Sequence, residues 1–82
     1  MSASHSRSGS IIALTDVVAV GAAVRQARKA HGLTQAALAG LAGSGTRFIS
    51  ELEHGKASVE LGKVLDVLAV LGLRLQLVGG ET

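Results

Sequence analysis

Apolar residues recur along this chain at helical intervals in four stretches, and then the interval changes. Val17, Val20, Val24 and Ala27 share one face of a first helix, with Thr15 or Asp16 as its cap, about His31 as its last residue and Gly32 as its stop. The segment TQAALAGLAGSGTRFISELE, Thr34 to Glu53, follows directly and reads as a short helix, a glycine turn and a second helix. In that second helix Ile49 and Leu52 point inward at i, i+3, Thr46, Arg47, Ser50 and Glu51 point outward, and Gly55 stops it. Ser58 starts a fourth helix with the stripe Leu61, Val64, Leu65, Leu68 and Leu71, closed by Gly72. From there the period falls to two: Leu73, Leu75 and Leu77 alternate with Arg74, Gln76 and Val78, which is a strand pattern. Residues 1–10 are serine-rich with little to bury and read as a disordered tail. Residues 11–72 form the helical domain, 73–78 the strand and 79–82 a closing tail.

The central pair of helices carries its own punctuation. Thr34 is a good N-cap, and Leu33 and Leu38 have the spacing of a hydrophobic staple, although Ala37 stands where a capping-box acid would be. Ala36, Ala37, Leu38, Ala39 and Leu41 give a helix with a thin wall, suited to a close crossing. Gly43 falls where that helix should end, because glycine accepts the left-handed turn. Two helices joined this tightly have the layout of a helix-turn-helix, whose second helix is offered to the DNA major groove. On that second helix, beginning near Gly45 or Thr46, Arg47 has the fork to bond guanine O6 and N7 or to hold a phosphate. Thr46 and Ser50 suit bases or phosphates, and Glu51 suits a cytosine amine or a neighbouring cation. Phe48, the sole aromatic, reads as packing.

Composition narrows the picture further. Eighty-two residues make one domain with a small core, and with no Cys, Trp or Tyr that core must be aliphatic, a situation often relieved by oligomerisation. The net charge is only +2, but Arg25, Arg28, Lys29, Arg47, Lys56 and Lys63 all lie in the helical region, where phosphates can be met. The apolar run Val64 to Val78 is interrupted by Asp66, Arg74 and Gln76 and is too short to span a bilayer. Asp16 interrupts the run that begins at Ile11, so a cleaved export signal is not expected, and a cytoplasmic location is. GLAGSGTR, Gly40 to Arg47, lacks the lysine and the preceding strand of a phosphate-binding loop. His31 and His54 have no partner at metal-ligand spacing, and no nucleophile sits beside a base. Neither an enzyme, a metal nor a cofactor is expected.

The stretch GLTQAALAGLAGSGTRFISELEHGK, Gly32 to Lys56, resembles the Cro/C1-type (XRE) helix-turn-helix repressor family at Gln35, Leu38, Ala39, Gly43, Ile49, Ser50, Glu53 and Gly55. The whole from about Asp16 to Val78 looks most like the HipB-type antitoxins of that family. The resemblance implies an all-α, four-helix, lambda-repressor-like domain whose C-terminal strand pairs with its copy in a homodimer through Leu73, Leu75 and Leu77. It implies DNA contact through Gln35, Gly45, Thr46, Arg47, Ser50, Glu51 and Lys56, with Gln35 clamping a phosphate, and a structural pair between Arg28 and Glu53. It also implies a double-stranded operator and a HipA-like kinase toxin as partners. Ser44 departs from the pattern, occupying a turn position where the family buries Val or Ile. A stand-alone repressor without a toxin, and a helical interaction module that does not bind DNA, remain as alternatives.

Overall fold

The computed structural model describes residues 13–80, which form four helices: α1 (Val17–Ala30), α2 (Gln35–Ala42), α3 (Thr46–Glu53) and α4 (Leu61–Val70). Asp16 caps α1, its carboxylate accepting from the Ala19 amide at 2.8 Å, and Arg28 and Lys29 in the last turn complement the negative end of the helix. Thr34 caps α2 in the same way, accepting from Ala37 N at 3.0 Å. The helices are each followed by a glycine of positive φ, Gly32, Gly43, Gly55 and Gly72. The second of these matters most. Gly43 takes φ 71°, and the chain turns back so that Ser44 N donates to Ala39 O at 2.9 Å and Gly43 N to Gly40 O at 3.3 Å. That double closure satisfies the last carbonyls of α2 and leaves only Gly43 to Gly45 before α3 begins.

One core joins all four helices. Val24 of α1, Leu38 and Ala39 of α2, Ile49 and Leu52 of α3, and Val64, Val67 and Leu68 of α4 are buried together, with Leu71 just beyond α4. α3 packs against both α1 and α2, and α2 also packs on α4. Burial of these aliphatic side chains stabilises the fold by roughly 1.5–3 kcal/mol for each large one. The closest approach is between α1 and α3. Gly21 is buried so tightly that a Cβ there would meet the Leu52 carbonyl oxygen at 2.2 Å.

Four expectations are corrected. The last helix starts at Leu61, three residues after Ser58, because Val59 packs against the core from a non-helical stretch first. Its buried stripe is Val64, Val67, Leu68 and Leu71, while Leu61 and Leu65 lie exposed on the flank, so the stripe is turned toward Val67. Val17, expected on the inner face of α1, is likewise exposed. Finally, no strand forms over 73–78 among the described residues; residues 73–80 run without helix or ladder. A strand is made by the hydrogen bonds of a partner, and none of the described residues pairs with this segment. Leu73 is committed to the chain's own core, whereas Leu75 and Leu77 are exposed.

Candidate nucleic-acid interface

α3 is amphipathic in a strict sense. Ile49, Leu52 and Glu53 are buried; Thr46 and Arg47 are exposed; Ser50 and Glu51 are half-buried at the edge of the outer face. Gly45, the N-terminal flank of α3, provides no side-chain cap, so the first amides of the helix have no such partner. Amides of this kind, at the positive end of a helix, suit a phosphate. Arg47 reaches forward along the helix to Glu51, Nε to Oε2 at 3.3 Å, and Lys56 Nζ approaches the same oxygen at 3.4 Å. Thr46, Arg47, Ser50, Glu51 and Lys56 are therefore gathered on one side of α3.

Beneath this face lies a buried polar junction. Arg28 of α1 grips Glu53 at the end of α3 with two bonds, Nε to Oε2 at 2.6 Å and Nη2 to Oε1 at 3.0 Å. Its Nη1 donates to the Leu33 carbonyl at 2.8 Å, at the start of the α1–α2 connection. Gln35, the first residue of α2, adds a third bond, Nε2 to Glu53 Oε1 at 3.1 Å. Burial pushes the Glu53 carboxyl up, but the hydrogen bonds from Arg28 and Gln35 and the charges of Arg28 and Arg25 outweigh it and hold it below its ordinary value. The bond to Glu53 raises Arg28 in turn, against its own burial. Three helices are thus fixed to one carboxylate. Gln35 belongs to this junction through one N–H of its side-chain amide, which leaves the second N–H of Nε2 and the backbone amides that open α2 as the donors available to a phosphate.

With the folded value depressed, the junction's contribution is fully present above about pH 4.5, the ordinary value of the group, and is lost as the pH falls through the lower folded value. The wild type is expected to lose more thermal stability between roughly pH 5 and 3 than Glu53→Gln, which has no charge to titrate. Parallel melting curves for the two across that range check it; matching slopes would remove the junction from the acid response.

The turn carries a cost of its own. The Ser44 hydroxyl is buried and has no hydrogen-bond partner among the described residues. An unsatisfied buried hydroxyl costs about 1–3 kcal/mol. Ser44→Ala is expected to stabilise the domain by about 1 kcal/mol, which for a domain of this size raises Tm by roughly 4–8 °C. Calorimetry reads this directly, and an unchanged or lower Tm would contradict it.

Sequence reasoning named Arg25 and Lys29 among the basic residues of the helical region but did not pick out the depression they border beside α1. Arg25, Gln26 and Lys29 border it with Ala22, and Glu53 lies at its floor. The i, i+4 spacing of Arg25 and Lys29 was the available signal, since that spacing places two cations on one helical face. His31 and His54 are tied to backbone carbonyls, of Leu71 at 3.1 Å and Ser50 at 2.7 Å. No group of three metal-ligating side chains occurs among the described residues, and none of the described helices is long and apolar enough to cross a membrane.

A family model described as helix-turn-helix matches residues 24–78, from the middle of α1 to the C-terminal segment. The chain is also 50% identical over 58 residues to the uncharacterized HTH-type transcriptional regulator y4mF of Sinorhizobium fredii, covering 71% of this chain and 76% of that protein.

Proposed function

Since the chain belongs to the helix-turn-helix family, we propose that it is a sequence-specific DNA-binding transcriptional repressor, with α3 as its recognition helix. The observation that carries this is the division of α3. Its inner face is locked by Ile49, Leu52 and the Glu53 junction, while Thr46 and Arg47 are exposed on a face with Ser50, Glu51 and Lys56. A helix held that firmly can place Arg47 against a base edge, with Thr46 and Ser50 beside it. Gln35, Gly45 and Lys56 are assigned to phosphates, which fix register rather than sequence. The relative's description as a transcriptional regulator supports the same reading.

The repressor acts as a homodimer. Leu75 and Leu77 are exposed, Leu77 completely, and Leu61 and Leu65 lie exposed on α4. Such apolar surface on so small a domain suits a second copy, and the alternating pattern of 73–78 suits antiparallel pairing about a two-fold axis. Two recognition helices then meet half-sites about one helical turn apart, or a multiple of it, and the bound dimer blocks polymerase. The likeness to HipB-type antitoxins supports a further role as antitoxin to a HipA-like kinase, which co-purification with a kinase partner would test.

Fluorescence anisotropy with duplex from upstream of the chain's own gene, against scrambled duplex and across a salt series, tests the main reading. A preference for the upstream duplex that Arg47→Ala reduces roughly ten- to hundredfold is the expected result. Equal binding to both duplexes, vanishing as salt rises, would reduce the interface to a charged surface at those sites.

A further inference from the structure

Arg47 has 91% of its side chain in solvent, so packing does not hold it. Its side-chain bond within the described residues is to Glu51, one turn further along α3, and it uses Nε for that bond at 3.3 Å. An arginine tied through Nε keeps the N–H groups of Nη1 and Nη2 together at its far end. Those are the two parallel donors that guanine O6 and N7 require. An untethered arginine would have to give up its rotamer freedom when it meets a base; a tethered one has already lost part of it.

Glu51 would by itself repel the DNA backbone, but it is not by itself. Lys56 Nζ stands 3.4 Å from the same Oε2 that accepts from Arg47, so one carboxylate oxygen serves two cations and the group keeps a net positive charge. Glu51 is half-buried, with 31% of its side chain exposed, so the acceptor is more firmly placed than the arginine it holds.

We propose that Glu51 is a positioning residue for recognition: it fixes the Arg47 fork for a guanine and sets Lys56 beside it, without touching a base itself. This rests on the reading of α3 as the recognition helix. Glu51 therefore contributes to discrimination between duplexes rather than to affinity for DNA as such.

The test begins by selecting the wild type's preferred duplex from a randomised pool. Affinities are then measured for that duplex and for versions with each guanine replaced, using wild type, Glu51→Ala, Glu51→Gln, Arg47→Ala and the Glu51→Ala/Arg47→Ala double variant. Glu51→Ala is expected to lower discrimination about tenfold, at the base pair where Arg47→Ala lowers it and nowhere else. Affinity for unrelated duplex is expected to hold or rise, because an anion has been removed. Glu51→Gln, which keeps an acceptor at the same reach, restores part of the discrimination and carries the comparison if the alanine variant folds poorly. In the Arg47→Ala background, Glu51→Ala is expected to cause no further loss. Unaltered discrimination in Glu51→Ala would overturn the proposal. So would a loss that persists undiminished without Arg47, which would give Glu51 a base of its own. A pool that yields no preferred duplex for the wild type would instead overturn the DNA-reading role of α3, and this inference with it.

Discussion

Glu53→Ala is expected to destabilise the domain by about 3–5 kcal/mol, the usual consequence of stranding one member of a buried ion pair. Four hydrogen bonds meet at the Arg28–Glu53 junction, and the substitution removes three of them: two from Arg28 and one from Gln35. Only the Arg28 Nη1 bond to the Leu33 carbonyl survives. The guanidinium cannot neutralise itself to escape, so its charge stays unpaired in a site where the side chain is 9% exposed. Domains are stable by about 5–15 kcal/mol, and one of this size with an all-aliphatic core belongs near the lower end, so a large part of the population should unfold. Folding is therefore lost before specificity is. Urea denaturation of the wild type and the variant measures the effect, and an unchanged midpoint would show that the junction contributes nothing. A second variant separates charge from packing: Arg28→Met/Glu53→Leu is expected to recover most of the lost stability, because well-packed apolar residues often replace a buried pair without penalty.

The parts of this molecule that could be read from the sequence are those governed by neighbours along the chain. Thr34 capping α2 and Gly43 closing it depend on contacts within four or five residues, and both the residue types and their spacing declare them. The four stopping glycines were legible for the same reason. What depended on the neighbouring helix was less so. Leu61 and Leu65 fit a helical stripe as well as Val67 does, and only the direction from which α2 packs decides that Val67 is buried. At the candidate interface, the outward set Thr46, Arg47, Ser50 and Glu51 follows from the i, i+3 burial of Ile49 and Leu52. That Gln35 is bonded to Glu53, eighteen residues away, does not follow from any local pattern. The C-terminal alternation is a different case, since residues 73–80 form no ladder among the described residues and the pairing proposed for them is with a second copy.

Gly21 shows most sharply where local reasoning has the wrong sign. Glycine in the middle of a helix is unfavourable by about 1 kcal/mol relative to alanine, so propensity alone predicts that Gly21→Ala stabilises α1. Its surroundings predict the reverse. An added Cβ would stand 2.2 Å from the Leu52 carbonyl oxygen, 2.9 Å from that of Glu53 and 3.0 Å from the Glu53 carbonyl carbon. All three are backbone atoms of α3, so no side-chain rotation relieves the contact; α1 and α3 must move apart. That movement loosens Val24 against Ile49 and Leu52, and lengthens the Arg28–Glu53 bonds that span the same two helices. Gly21→Ala is therefore expected to cost about 3 kcal/mol net, the upper part of the range for overpacking, and to lower Tm by roughly 10–20 °C. Gly62→Ala on α4 is the matched control, since nothing lies within 4 Å of its added Cβ, and it should stabilise by about 0.5–1 kcal/mol. Opposite signs for the two substitutions in thermal melts would establish that the α1–α3 crossing, rather than helix propensity, sets the residue at position 21. Equal stabilisation by both would mean that α3, and the face proposed to meet DNA, is free to shift away from α1.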